Sequence, residues 1–443
     1  MTKFVFHHNP KKLPTHSETC HPVQMYDTYQ WNSLSASCIA RPIIGKIRDL
    51  GCRVSNDAFD FLTIAMAVTA ADTFSKRDGA KNSWSRELEL YIALHSTDVW
   101  NTVSSELEKA LGYLTGDMWT LNFTQGGLRA PAPKKSKKAR QKRKSLKGLD
   151  CVCLFSGGLD SAVGAIDLVN GNGKKPLLVS HAYKGDASKQ NMVEKVLNTG
   201  AYSRLACNAD PHLISCLDGE TDISMRGRSF NFLAMAVLGL SAVQKVNGGN
   251  LKKIFIPENG YISLNPPLTR RRIGSLSTRT THPYFLSKIQ EILDTVGFEV
   301  LLINPYQMKT KGEMLKECKD QKALEKALPS TVSCSNWHRK GIQCGRCVPC
   351  IIRRAAVLYS GFSADAPYES FNLQLILRGG NEKDDLLALA TANIRLSKLK
   401  DASRWVRESG PLPDEKNERQ ELVGVFSRGL TEVGVFLREE KIL

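Results

Sequence analysis

The chain has 443 residues, 42% of them hydrophobic, so it is long and apolar enough for two or three globular cores and is neither disordered nor fibrous. Its 61 Lys and Arg against 44 Asp and Glu leave a formal charge of +17, which favours anionic partners: nucleotides, nucleic acid or an acidic protein. No window of about 18 uncharged apolar residues marks a membrane span, and MTKFVFHHNPKK at the start lacks a signal-peptide apolar run; the expectation is a cytoplasmic protein with no membrane partner, whose 12 cysteines are reduced or metal-bound rather than paired.

Residues 1–125 read as an α+β module of unknown role. FDFLTIAMAVTAADTF is helix-like, ELELYIALH alternates in part as a half-buried strand does, and MWTLNFT reads as another strand. Between them, STDVWNTVSSELEKALGYL reads as one amphipathic helix capped by Ser96, Thr97 or Asp98. Residues 126–148, GGLRAPAPKKSKKARQKRKSLKG, form a Gly/Pro/Lys linker. Nine of the fourteen residues from 134 to 147 are Lys or Arg and none is acidic, which predicts a solvated, mobile segment. It is open as a plain basic linker, a nucleic-acid-binding arm or a docking strip for an acidic protein; no aromatic residue interleaves it to stack on bases.

From residue 149 the pattern changes. LDCVCLF, PLLVSH, SRLACNA, KKIFIPE and FEVLLINP look like five strands, separated by helical stretches that include RSFNFLAMAVLGLSAVQKV and PYFLSKIQEILDTV. Apolar strands alternating with helices predict an α/β fold with a doubly wound parallel sheet. The apolar run near residues 230–243, interrupted by Asn231 and Ser241, reads as a buried core helix. Residues 149–360 make the main domain, and residues 361–443 a charged helical C-terminal region. No internal repeat is visible.

FSGGLDS, residues 155–161, follows the first of these strands and opens a helix. Ligands of open parallel sheets bind at the carboxyl ends of the strands. The first turn of a helix exposes unpaired N–H groups at the positive end of its dipole. Gly157 and Gly158 let the backbone turn sharply and approach an anion, and Ser156 and Ser161 add hydroxyls. Asp160 suits such a place as a helix cap or as a ligand of the Mg²⁺ that accompanies ATP. There is no G-K-[ST] and no G-x-G-x-x-G, so this is neither a Walker A nor a dinucleotide loop.

CSNWHRKGIQCGRCVPC places Cys334, Cys344, Cys347 and Cys350 in a C-x9-C-x2-C-x2-C spacing. Two successive C-x2-C steps aim three thiolates at one centre, and Cys334 can close a tetrahedron, which argues for structural Zn²⁺. His338 is a spare donor. An iron–sulfur cluster is the rival, although the C-x3-C-P element of ferredoxins is missing.

FSGGLDS resembles the SGGxDS pyrophosphate loop of PP-loop ATP pyrophosphatases. Joined to the four-cysteine knuckle and to GRSFNFLAMA, it is similar to the QueC family, the 7-cyano-7-deazaguanine synthases, over roughly residues 149–360. The resemblance implies adenylation of a 7-deazaguanine carboxylate with release of pyrophosphate, then transfer to ammonia. It implies ATP, Mg²⁺ and Zn²⁺ as cofactors, Cys334, Cys344, Cys347 and Cys350 as zinc ligands, and Ser156, Asp160 and Ser161 as the catalytic members of the loop. The ATP-binding set is then Phe155, Ser156, Gly157, Gly158, Leu159, Asp160, Ser161, His181 and Arg228. Where the synthases usually carry Tyr-Gly-Gln-Arg-His after the second strand, this chain reads VSHAYKGDASKQNM, with His181 and Gln190 differently arranged. The added N-terminal module and tail, with ENGYISLNPPLTRRRIGSLSTRTTHPYF, look like the QueC-like proteins of Qat-type anti-phage defence. That likeness implies protein partners of a defence system and a protein amine as the acceptor.

IPENGYISLNPP follows the fourth strand at the carboxyl edge, where Glu258 and Asn259 suit recognition of a purine-like ring. Thr280, Thr281 and His282 are the next candidates for a substrate pocket. Arg270, Arg271, Arg272 and Arg279 are candidates for a phosphate or carboxylate, and Lys309 and Lys311 for pyrophosphate. The functions in view are an adenylating C–N ligase, a queuosine-pathway synthase, a non-catalytic nucleotide-binding scaffold of a defence complex, and an RNA-modifying enzyme using the basic linker.

Overall fold

Ten strands form two five-stranded sheets, each wholly parallel, in a computed structural model that describes residues 2–80, 84–181, 186–217, 226–269, 279–334, 336–337, 341–379 and 383–443. The first sheet takes β1 (Thr2–His7), β2 (Cys20–Met25), β3 (Ser37–Ile39), β4 (Glu87–Leu94) and β5 (Met118–Gln125) in the order β3-β2-β1-β4-β5. Its helices are α1 (Ile43–Arg48), α2 (Asn56–Phe74), α3 (Thr97–Asn101) and α4 (Ser104–Thr115). After α5 (Lys137–Gln141), the second sheet takes β6 (Cys151–Leu154), α6 (Leu159–Ile166), β7 (Pro176–His181), α7 (Asp186–Glu194), β8 (Ser203–Cys207), α8 (Arg228–Asn247), β9 (Lys253–Phe255), α9 (Gly260–Leu264), α10 (Pro283–Val296) and β10 (Leu301–Ile303). Its order is β10-β9-β6-β7-β8. Both sheets therefore share one strand order, third-second-first-fourth-fifth, but only the second carries helices on both faces and is doubly wound. The chain closes with α11 (Lys311–Lys316), α12 (Gln321–Ala327), α13 (Val348–Ser360), α14 (Leu373–Arg378), α15 (Asp384–Ser397), α16 (Ser403–Val406) and α17 (Lys416–Glu439).

The five strands expected after residue 149 are all present. The α+β expectation for residues 1–125 is corrected to α/β. In β4 and β5 every second residue (Leu88, Leu90, Ile92; Trp119, Leu121, Phe123) is buried, while Glu87, Glu89, Tyr91, Thr120 and Thr124 on the other face are not. That alternation comes from a parallel sheet with one covered face, not from antiparallel pairing. The single helix expected over 96–114 breaks at Thr102–Val103, because Val103 turns into the core and α4 restarts behind it; Ser96 is the cap residue of α3 but its side chain makes no capping bond.

α2 and α8 run antiparallel between the two sheets. The Ser55 N–H at one end donates to Ser241 Oγ (3.0 Å), and the Gly227 N–H at the other to Asp72 Oδ2 (3.1 Å). One continuous cluster joins Phe4, Phe6 and Ile92 through Phe61 and Phe230 to Val152, Leu177 and Val179. Phe61 stacks on Trp100 and meets Phe230 edge-on, each at 5.4 Å. Each such buried ring contributes about 1.5–3 kcal/mol, so the sheets share one core. By length and composition α8 is long and apolar enough to cross a membrane, yet 72% of that window is buried inside the protein. A second apolar cluster packs α6, α11 and α12 on the far face of the second sheet, and a third unites α9 with α13–α17.

The linker is not free. The Gly127 N–H donates to Leu94 O (3.0 Å), Ala130 N–H to Asn56 Oδ1 (3.1 Å), Lys144 N–H to Asp49 O (2.8 Å) and Gly148 N–H to Asn247 Oδ1 (2.6 Å). Ala130, Leu146 and Leu149 enter the shared core, which anchors both ends of the segment while its cations stay in water. The expectation of a mobile run is corrected to an anchored one.

Candidate functional site

The second sheet reverses direction between β6 and β9, and ligands of such sheets bind at that switch point. A cavity of about 280 Å³ opens there, just under the roughly 300–1,000 Å³ of small-ligand sites. Its polar wall is Ser156, Ser161, Arg228, Glu258, Thr280 and Thr281. Its apolar floor includes Phe232, Leu233, Ile256 and Pro257. The structure thus brings together Ser156, Ser161, Arg228, Glu258, Thr280 and Thr281, up to 125 positions apart in the chain and each a candidate from the sequence, with Ser229 and the floor residues added by the fold.

The turn is built from its own side chains. Gly157 has φ +83°, and Gly158 is the cap residue of α6. Ser161 Oγ donates to Gly158 O (2.9 Å) and accepts from the Ser156 N–H (3.2 Å). With its one proton so used, it accepts from Ser156 Oγ as well (3.1 Å), while Ser156 Oγ accepts from the Gly158 N–H (3.2 Å). Behind the turn, Gln190 Nε2 donates to Ser156 O (3.1 Å), and Gln190 Oε1 accepts from Arg204 Nη2 (2.6 Å). Arg204 also bonds Glu194 (2.7 Å) and Asn191 (2.7 Å). Val332, two residues before Cys334, donates its N–H to Gly157 O (3.2 Å).

Phe155 and Leu159 send their side chains into the core, so only their backbone is available to a ligand. Asp160 neither caps α6 nor faces outward. One carboxylate oxygen takes the buried Lys311 ammonium; the other takes the Asn259 N–H (3.0 Å) and Nδ2 (2.6 Å). Gly158 is the cap residue of α6, which corrects the expectation that Asp160 caps the helix. Burial alone would raise the Asp160 carboxyl, but Lys311 and hydrogen bonds from Glu258, Lys311 and Asn259 hold it well below the usual carboxylate range. Glu258 goes the other way: burial, the Asp160 charge and its hydrogen bond with Asp160 push it well above, which favours its protonated form.

Asn259 is fully buried and accepts the Ile262 N–H (3.0 Å) as the cap of α9. His282 is equally buried, caps α10 through Nδ1 to the Tyr284 N–H (3.2 Å) and meets Ser409 Oγ (3.3 Å). Neither reaches the cavity wall, so both belong to its frame rather than to its surface. His181 at the end of β7 has no exposed surface, and burial followed by the Arg228 charge pushes its ring down to about 3. Its carbonyl accepts from Arg228 Nη2 and Gln190 Nε2, each at 3.4 Å, so its backbone orients the cavity arginine. Asp72, on α2 of the first sheet, holds the other end of that turn through Gly227. Lys309 pairs with Glu317 at the surface; Arg279 lies over Tyr113 (4.8 Å); Arg270–Arg272 and His338 fall outside the described residues.

Lys311, Gln190, Arg204 and Asp72 were not singled out for these tasks. Only Lys311 carried a local signal. Thr310 and Glu313 make a capping box, which puts Lys311 in the first turn of a helix just beyond β10, at the same carboxyl edge.

The four cysteines of the knuckle are buried, with all sulfurs within 4.8 Å of one another. Cys344 and Cys350 are 3.9 Å apart, as are Cys334 and Cys347. A tetrahedron with Zn–S of about 2.3 Å has edges of about 3.8 Å, so the spacing fits a single ion such as zinc, and an iron–sulfur cluster would spread its thiolates further. Backbone N–H groups of Asn336, Cys344 and Cys347 point at the sulfurs, each at 3.3 Å, as thiolates require. With four protein ligands and no open position, such a centre is structural. Through Val332 it braces the Gly157 turn.

Comparison of the chain with family models, with curated proteins and with solved structures finds no match in any of the three.

Proposed function

We propose that the chain is a PP-loop enzyme that adenylates a carboxylate on a 7-deazaguanine-like heterocycle. A carboxylate oxygen attacks the α-phosphorus of ATP, the bond to the β-phosphate oxygen breaks, and pyrophosphate departs. A nitrogen nucleophile, ammonia or a protein amine, then displaces AMP. The observation that carries this reading is the cavity at the switch point, where the Ser156–Ser161 turn, the start of α6 and Arg228 face Glu258, Thr280 and Thr281 across an apolar floor. Hydroxyls, a cation and a helix N-terminus suit the phosphates, protonated Glu258 and the two threonines suit the polar edges of the ring, and the floor suits its face. Mg²⁺ would arrive on the ATP phosphates, since Asp160 is committed to Lys311 and Asn259. Zinc, held by Cys334, Cys344, Cys347 and Cys350, would keep the turn in place. The likeness to defence-associated QueC-like proteins makes a partner protein the favoured acceptor.

The experiment supplies ATP, Mg²⁺ and 7-carboxy-7-deazaguanine, with ammonia or a candidate partner protein, and follows adenine nucleotides and product masses. Expected are AMP and pyrophosphate that depend on the acid, with a rate roughly 10²–10³-fold lower in Arg228→Met. Tight nucleotide binding with no AMP from any acceptor would replace this reading with a non-catalytic nucleotide-binding scaffold.

A further inference from the structure

We propose that the face at the opposite end of α8 from the cavity binds the phosphate backbone of a nucleic-acid duplex. Arg228 opens α8 at the cavity, and Lys245 lies seventeen residues on, about 25 Å away at 1.5 Å per residue. There Lys245 joins Arg53 and Arg129 around a second cavity of about 540 Å³, between the start of α2 and the end of α8. The anchored linker continues this surface. Arg143 lies over Gly51, where a Cβ would come 3.0 Å from its Cδ, and Lys144 is pinned to Asp49 through its N–H. Lys46 and Lys144 both act on the Cys207 thiol, so α1 and the linker present their charges side by side.

All nine cations from 134 to 147 are exposed, as are Arg53, Arg129 and Lys245. Among the described residues none of these twelve is ion-paired, while some lysines elsewhere, Lys109, Lys288 and Lys309 among them, have carboxylate partners. Concentrated positive charge without counter-charge repels itself, and a polyanion relieves that repulsion by releasing its own counterions. The chemistry of the patch selects the partner. An acidic protein needs an apolar centre to its interface, and here Leu146 and Ala130 are turned into the core. A single strand needs aromatic platforms for its bases, and residues 126–148 hold none. What remains is charge laid along a fixed surface, which matches the regular phosphates of a duplex and carries no base readout.

This inference does not rest on the reading of the nucleotide cavity, and its test uses no ATP. A fluorescent 20-base-pair DNA duplex of arbitrary sequence is titrated with the full chain at several salt concentrations. Expected is a log–log salt slope of about −5 or steeper. The quadruple variant Lys137→Gln, Lys138→Gln, Arg140→Gln and Lys142→Gln is expected to bind more than tenfold more weakly and to flatten the slope by about 3–4. These side chains are exposed and unpaired, so the fold should survive, which its thermal transition checks. Arg53→Gln with Lys245→Gln, off the linker, is expected to weaken binding severalfold. Binding unchanged in both variants would overturn the proposal, and so would poly-glutamate of equal charge binding as tightly as the duplex.

Discussion

The two sheets share a strand order, and each has a switch point at its carboxyl edge, yet among the described residues the chain crosses the first edge and a cavity lies at the second. After β5 the chain reads Gly126-Gly127-Leu128; within the turn after β6 it reads Gly157-Gly158-Leu159. In the first sheet the glycines carry the backbone across the edge. Gly127 bonds Leu94 at the end of β4, and Gly126, at φ +101°, passes beside His7 at the end of β1. In the second sheet the same residues fold back on Ser156 and Ser161, and the space in front stays clear. One topology thus has its edge crossed by the chain in one half and fronted by a cavity in the other, and a few loop residues decide which.

The metal centre gives the largest expected effect, because it props only the second edge, through Val332 and Gly157. The purified chain should carry about one zinc, and Cys350→Ser should lose it. Structural zinc is worth on the order of 10 kcal/mol in small domains, so the knuckle should lose its order. Nucleotide affinity should fall at least tenfold, and the amides around 156–158 and 331–334 should lose exchange protection, while β1 and β4 keep theirs. Equal loss of protection in both sheets would show that the shared core, not the metal, holds the second edge.

How far these edges were legible in the sequence follows the same division. Every strand of the second sheet is a short apolar run between helices, so its period and context agree. β1, β2 and β3 of the first sheet (TKFVFH, CHPVQM, SCI) mix apolar residues with His, Pro, Gln and Ser, and gave no strand signal although all three are hydrogen-bonded into the sheet. The repeat was invisible for the same reason: the two halves share strand order but not residues. At the site, FSGGLDS was readable because a tight turn needs its special residues in sequence. Gln190, Arg204 and Asp72 act through contacts made only on folding, and nothing local marks them. Asn259 and His282 looked like ligand contacts because polar residues near a carboxyl edge can serve either a ligand or a helix cap; here burial assigns them to caps.

Titration sharpens the comparison, because each edge buries two groups pushed in opposite directions. At the first edge Asp60 is raised to about 6, mainly by burial, while His7 is lowered to about 4 by burial and by the charges of His8 and Lys12. A raised carboxyl favours the folded state at low pH, so its contribution is lost as pH climbs from about 4 to 6. A lowered imidazole favours it at high pH, so its contribution is lost as pH falls from about 6.5 to 4. The Asp60 shift amounts to about 3 kcal/mol at about 1.4 kcal/mol per pKa unit, the shift of the less deeply buried His7 to less because solvent screens it, and in the native chain the two partly offset. Relative to the wild type, Asp60→Asn should therefore gain stability as pH rises through this window, and His7→Gln should lose it, in denaturant unfolding at pH 4.5 and 6.5. Parallel wild-type and Asp60→Asn curves would remove Asp60 from the account.

The smallest expected effect bears most directly on how the two edges differ. A Cβ at Gly127 would lie 2.3 Å from the Leu94 carbonyl carbon and 2.4 Å from its Cα, and neither atom can move without shifting β4. Gly127→Ala should cost about 3 kcal/mol and leave nucleotide affinity unchanged, since it disturbs only the covering strand of the first edge. A Cβ at Gly157 would clash with Gln190 Cγ, at 2.9 Å, which the side chain can relieve by turning, while the Gln190 N and Cα, at 3.4 and 3.6 Å, are at ordinary contact distance. What remains is the left-handed backbone, worth about 1–2 kcal/mol for a residue with a Cβ. Gly157→Ala should thus be the milder change for stability and the harsher for binding: moving Gln190 frees Ser156 O and loosens the turn, and nucleotide affinity should drop tenfold or more. The two variants are told apart by paired unfolding and nucleotide titrations. If Gly127→Ala also abolishes nucleotide binding, the edges communicate through α2, Asp72 and Gly227 to Arg228, and the first sheet is part of the site rather than its support.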